Sequence, residues 1–203
     1  MKIYIIRHGE TDWNRIRRLQ GHSDVPLNEN GIRVAKLTAE GMKDISFDRV
    51  FTSPLVRAAE TARMIVGDRQ IPVIVEPRLR EISFGSLEGL VHHPEAGIIG
   101  DVQLVNFFEH PERYVCPEDG ESIEQLMERT STFLRELIHT EAYEQETILI
   151  ACHGAALRGL LSAVKPIPIA DFWKDGVQKN CGVTILESHN GTVSIVEEGK
   201  LYY

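Results

Sequence analysis

The chain has 203 residues, 42% of them hydrophobic and 26% charged, the size and balance of one globular domain with a sizeable core. A formal net charge of −8 speaks against nucleic acid or an anionic membrane surface as partner, and against long-range steering of an anionic ligand. No apolar run approaches the ~20 residues of a membrane helix.

The first strand spans residues 2–6, which leaves no room for a signal peptide before it. Cys116, Cys152 and Cys181 are odd in number, scattered and without metal-ligand spacing. Reduced thiols and a cytoplasmic location are therefore expected. Asn28 caps a helix whose apolar positions Ile32, Ala35, Ala39 and Met42 share a face. Residues 48–52 form a second buried strand. Ser53-Pro54 then reads as a helix start, with Ser53 as cap and Pro54 in the first turn, where no N–H is needed. A third buried strand is expected over 71–75.

Residues 85–120 are punctuated by Gly85, Gly89, Pro94, Gly97, Gly100, Pro111, Pro117 and Gly120, with Phe107-Phe108 inside one short helix. An insertion after strand three lies near the strand ends and suits a lid over a site there. A surface excursion whose aromatics pack down fits the same residues. Ser122 and Gln125 have capping-box spacing, ahead of an apolar stripe running to Ile138. Residues 147–152 read as a strand, Gly154 to Val164 as a helix stopped by Pro166, and Asn190-Gly191 as a hairpin turn between two C-terminal strands. The hairpin suits either an edge folded back on its own sheet or a contact across a dimer, so monomer and homodimer both stand. This alternation implies a three-layer α/β/α fold with a mostly parallel central sheet and one antiparallel edge strand.

Chemistry concentrates at two strand ends. Arg7-His8-Gly9-Glu10-Thr11 leaves the first strand and His153-Gly154 leaves the 147–152 strand, where open α/β sheets bind ligands. Two imidazoles and an arginine there suit a phosphate pocket made positive locally. A rival reading is Cys152-His153-Gly154-Ala155-Ala156-Leu157-Arg158, the C-x₅-R spacing of cysteine-dependent phosphatases, with Arg158 otherwise a helix-surface residue. It leaves the N-terminal cluster unexplained.

Together with Asn14, Gln20-Gly21, Asp24-Val25-Pro26-Leu27, Ser53-Pro54-Leu55-Val56-Arg57-Ala58 with Thr61-Ala62, Leu79-Arg80-Glu81 with Gly85 and Glu88-Gly89, Gly120-Glu121-Ser122 and Asn180, these motifs make the chain resemble the histidine phosphatase superfamily, also called phosphoglycerate mutase-like. The resemblance covers nearly the whole chain as a single domain. It implies His8 as nucleophile, Arg7, Arg57 and His153 around the phosphoryl oxygens, and Glu81 as general acid and base. Asn14, Gln20, Gly21 and Gly154 would add phosphate or substrate contacts. The implied substrate is a small phosphorylated metabolite, its leaving group meeting Phe107, Phe108, Tyr114, Val91 or Ile98.

No cofactor or metal is expected; His92-His93 is the sole tempting metal pair, and adjacent residues rarely point at one ion. The other histidines are assigned to the surface or the lid. Mutases of the family carry a basic Lys-Tyr-Gly stretch that this chain lacks, and segment 85–120 holds seven acidic residues against Arg113 alone, so hydrolysis is expected. Mutase-type transfer and a non-catalytic phosphate-binding module are the alternatives.

Overall fold

The computed structural model describes all 203 residues. Six strands form one sheet: β1 (Lys2–Arg7), β2 (Arg49–Thr52), β3 (Val73–Val75), β4 (Thr147–Cys152), β5 (Val183–His189) and β6 (Thr192–Lys200), ordered β3-β2-β4-β1-β5-β6. The first four are parallel, and β5 and β6 add an antiparallel hairpin at one edge. Asn190 and Gly191 both take positive φ, 50° and 74°, which is the two-residue turn that matches strand twist. The C-terminal hairpin thus folds back on its own sheet.

Strand side chains alternate between two cores. Ile3, Ile5, Ile148 and Ile150 face α4 (Val102–Glu109), α5 (Ile123–Ile138) and α6 (Gly154–Ser162). Tyr4, Ile6, Leu149 and Ala151 face α2 (Glu29–Gly41) and α3 (Val56–Val66). Because both faces are covered, β1 and β4 read as continuous apolar runs. Helix α5 starts at the expected capping box, with Ser122 and Gln125 bonding each other's backbone. A short helix α1 (Asp12–Arg15) is capped in the same way by Thr11 and Asn14.

Three expectations need correction. Strand β3 is the exposed edge of the sheet, with Val73 at 44% and Val75 at 57% exposure, because nothing pairs beyond it. The buried face of α2 is Val34, Ala35 and Thr38, followed by Met42, while Ile32 and Ala39 are only half-buried. Helix α3 begins two residues late, at Val56, and Leu55 at its N-cap makes no side-chain cap bond. Ser53 Oγ accepts from Leu55 N–H at 3.3 Å ahead of the helix and is shared with a distant partner.

Segment 85–120 is stitched to the loop before α2. Leu19 N–H donates to Leu90 O at 2.9 Å, Gly89 N–H to Leu19 O at 2.9 Å, and His92 N–H to Arg17 O at 3.0 Å. Its aromatics do pack down: Phe107 is buried in the core against Phe84, Tyr114 and Trp173. No helix is long and apolar enough to cross a membrane.

Candidate active site

The register of β1 on β4 builds the site. Arg7 stands opposite Cys152, so the next residue of each strand, His8 and His153, leaves the sheet side by side. Their rings lie 5.2 Å apart, and His8 N–H donates to Cys152 O at 3.0 Å. Gly9 follows because a Cβ there would come within 2.9 Å of Gly31 O, so only glycine lets the turn pass under α2. The Gly9 N–H is taken by Thr61 Oγ1 at 2.9 Å, and Thr61 donates to Arg57 O at 2.7 Å. This ties the turn to the helix that carries Arg57.

His8 is buried, and its Nδ1 lies 2.6 Å from Gly9 O. A carbonyl only accepts, so Nδ1 carries the proton and Nε2 keeps its lone pair. Burial, then the charges of Arg57 and Arg7, hold His8 well below the usual 6.5. His153 is likewise held well below 6.5 by burial, Arg57, His8 and Arg7. Its Nε2 meets Ser53 Oγ at 2.8 Å, which is where the Ser53 hydroxyl went. The other ring nitrogen, Nδ1, is buried without a partner.

Both histidines therefore stay neutral in the fold while the unfolded chain protonates them near pH 6.5. Stability attributable to them is intact above that pH and is lost as pH falls below it, by about 1.4 kcal/mol per pH unit for each ring. Denaturant titrations between pH 7.5 and 5 are expected to show this acid loss, and His8→Asn to flatten it. An unchanged slope in that variant would contradict the assignment.

Arg57 has no exposed surface. Its Nη1 donates to Ser23 O and its Nη2 to Gly21 O, each at 2.8 Å, while Nε is unpartnered. Burial lowers it to about 10 against the raising effect of Glu81, so it stays a cation at neutral pH. Arg7 donates to Gln178 O, and its Nε is also buried without a partner. Neither arginine pairs with a carboxylate. Two desolvated cations with unused N–H groups form an anion site.

Glu81 lines the same cavity. Its Oε1 accepts from Ile82 and Ala156 N–H, both at 3.0 Å, and its Oε2 from Ala155 N–H at 3.2 Å. The carboxylate thus occupies the N-terminus of α6, which favours negative charge. A Cβ on Gly154 would make only ordinary contact with Glu81 Oε2, at 3.6 Å, but would press on Val177 Cγ1 at 3.1 Å.

A cavity of about 570 Å³ joins these groups, lined among others by Arg7, His8, Asn14, Gln20, Gly21, Arg57, Glu81 and Gly154. All nine residues expected at the site are thereby brought together, His153 through its ring contact with His8. Asn180 holds the turn, donating to His8 O at 2.9 Å. Among the expected leaving-group contacts, Phe107 and Phe108 line the cavity, whereas Tyr114, Val91 and Ile98 do not. Ile98 is instead exposed at 47%.

Several wall and support residues went unread in the sequence. Trp173 and Val177 line the cavity from the stretch after α6, and His92 stacks on Phe108 at 5.6 Å. Arg129 of α5 clamps the loop that carries Glu81, donating to the carbonyls of Arg78, Arg80 and Glu81 while paired with Glu121. Glu88 accepts from the N–H groups of His22 and Ser23, propping the loop that Arg57 grips. Only the Glu121 and Glu88 motif positions offered a signal.

The C-x₅-R reading fails here. Cys152 is fully buried and burial pushes its thiol far up, so no thiolate is available. Arg158 is buried at 6% exposure and is not a helix-surface residue. It binds Phe172 O at 2.9 Å and Asp175 at 3.2 Å. No group of three or more His, Cys, Asp or Glu is placed to hold a metal ion.

Comparison with known proteins agrees with this geometry. The family model for the histidine phosphatase superfamily (branch 1) matches residues 3–200. YhfR of Bacillus stearothermophilus, a solved structure, is 34% identical with a TM-score of 0.89, over 98% of this chain and 96% of that one. The adenosylcobalamin/alpha-ribazole phosphatase of Escherichia coli K12 is 31% identical over 181 residues, 89% of this chain and 87% of that protein. A phosphoserine phosphatase from Entamoeba histolytica, solved with 3-phosphoglyceric acid, is 29% identical with a TM-score of 0.82, over 98% and 96%. By motif, fold and match along its length, the chain belongs to the histidine phosphatase superfamily, branch 1.

Proposed function

We propose that the protein is a metal-independent phosphomonoesterase that works through a phosphohistidine on His8 and acts on a small phosphorylated metabolite. The observation that carries this reading is the placement of His8, its Nδ1 turned to the Gly9 carbonyl, beside His153 and Arg7 at the ends of β1 and β4 and in one cavity with Arg57 of α3.

In the first step His8 Nε2 forms a bond to phosphorus as the ester P–O bond breaks, and Glu81, entering the step protonated, gives that proton to the departing alkoxide and is left as the carboxylate that the α6 N–H groups hold. In the second, Glu81 takes a proton from water, the water oxygen bonds to phosphorus, and the N–P bond breaks to release phosphate. Arg7 and Arg57 balance charge on the equatorial oxygens throughout, with His153 as a neutral hydrogen-bonding neighbour, the dominant contribution expected for phosphoryl transfer. Burial helps here: a low His8 basicity keeps the attacking ring neutral and makes it a better leaving group in the second step.

Support from relatives is coarser. Two of the proteins compared above are named for α-ribazole and phosphoserine phosphatase activities. The two names imply alcohols of different size, so they support hydrolysis as the reaction class and leave the alcohol open.

Phosphate release from a panel of phosphorylated metabolites, with excess chelator present, tests the reading. Turnover that survives the chelator and survives iodoacetamide is expected. Activity lost to chelator and restored by a divalent cation, or silence across the panel, would overturn it.

A further inference from the structure

Three arginines in the cavity wall lack a carboxylate partner: Arg7, Arg57 and Arg18. The proposed chemistry accounts for the first two. Arg18 is left over, and that is unusual in a chain with 30 acidic residues against 22 Lys and Arg. It is half-buried, its Nε is shielded from solvent with no hydrogen-bond partner, and neither wall carboxylate, Glu81 or Glu109, pairs with it. A shielded guanidinium N–H without an acceptor is costly to maintain.

The residue is also held in place. Arg18 N–H donates to Trp13 O at 2.8 Å, its guanidinium lies 5.3 Å from the Trp13 ring, and its backbone pairs with Val91 of segment 85–120. Its neighbour Arg17 differs, because Glu95 takes that side chain at 2.9 Å. Arg18 is therefore a positioned cation awaiting an acceptor.

One stretch of the wall is flat and aromatic. Phe108 lies 5.9 Å from Trp173 with the rings inclined by 33°, and His92 stacks on Phe108 at an inclination of 10°. Trp173 Nε1 and His92 Nδ1 are both shielded and unpartnered. A cavity of about 570 Å³ falls in the range that encloses a ring-sized organic ligand rather than a bare phosphate.

Resting on the reading of the site as a phosphomonoesterase, we propose that Arg18 is a specificity-determining residue, a second anion subsite that selects phosphomonoesters whose alcohol half carries a planar ring and a further acidic group. The ring lies along Phe108 and Trp173, and the second acid meets Arg18. That acid is a carboxylate or a second phosphate, since a guanidinium fork pairs with either.

Binding measured in the His8→Ala background separates this inference from the chemistry, because it needs no turnover. Calorimetry compares phenyl phosphate with 4-carboxyphenyl phosphate, benzene-1,4-diyl bisphosphate and the ringless 3-phosphonooxypropanoate. At least one of the two anionic aryl esters is expected to bind about tenfold more tightly than phenyl phosphate, the size of one charged hydrogen-bonded contact. Adding Arg18→Gln is expected to bring that ratio to about one, while Arg18→Lys keeps part of it. Whichever aryl ester gains identifies the second acid. Equal binding of all three aryl esters, an advantage that survives Arg18→Gln, or tighter binding of the ringless ester would each overturn the proposal. Phosphate release from the same esters by the unaltered protein reports separately on the phosphatase reading.

Discussion

Replacing His8 with alanine is expected to lower turnover by a factor on the order of 10⁴–10⁶, the scale seen when the nucleophile of a covalent mechanism is removed. The fold should survive. His8 belongs to the strand-end turn and not to either apolar core, and the backbone bonds of that turn, from His8 N–H to Cys152 O and from Gly9 N–H to Thr61, do not involve its ring. The variant should keep binding phosphate esters, because Arg7 and Arg57 remain. Steady-state kinetics with circular dichroism checks both halves. A folded variant with full activity would end the assignment.

Glu81→Gln is the second large effect, and its signature is selectivity among leaving groups. An alkyl alkoxide needs a proton as the P–O bond breaks, and loss of the general acid is expected to cost about 10²–10⁴-fold in kcat/KM. p-Nitrophenolate leaves with little help, so its phosphate ester should lose far less in the first step. The amide also disturbs the start of α6: Oε2 now accepts from Ala155 N–H, and an NH₂ group there meets a donor. Some loss is therefore expected with every substrate, and the ratio between substrates carries the information. Equal losses on alkyl and p-nitrophenyl esters would argue against Glu81 as the acid.

How much of this was legible in the chain depends on whether the controlling physics was local. Strands β1 and β4, the Ser122–Gln125 capping box and the Asn190-Gly191 turn rest on periodicity, cap chemistry and backbone preference within a few residues, and all were readable. The motif residues could be named, but their meeting depended on the β1–β4 register, which no local pattern specifies. Strand β3 was misjudged because an apolar run carries no mark of whether a neighbour will pair beyond it. Ser53 had the chemistry of a helix cap, yet a partner 100 positions away, His153, took its hydroxyl. Arg129 and Arg18 were silent for the same reason: one acts by gripping carbonyls 48 to 51 positions away, the other stands out by lacking a carboxylate partner.

These arrangements make one account of the site. The carbonyl of Gly9 fixes which nitrogen of His8 is free, Arg57 supplies charge while gripping the loop around Gly21, and Glu81 is set by α6 and by the clamp of Arg129. Each group does structural and chemical work together, so single substitutions around the phosphate site should be non-additive.

The most direct test is to trap the intermediate. The protein is mixed with a turned-over phosphate ester, quenched within milliseconds in alkaline denaturant, digested and mapped by mass spectrometry. The account predicts a phosphoryl group on the peptide carrying His8, stable in base, lost on brief acid treatment and absent from His8→Ala. A phosphoryl group on Cys152, or rapid turnover with no covalent phosphoprotein under any quench, would contradict it.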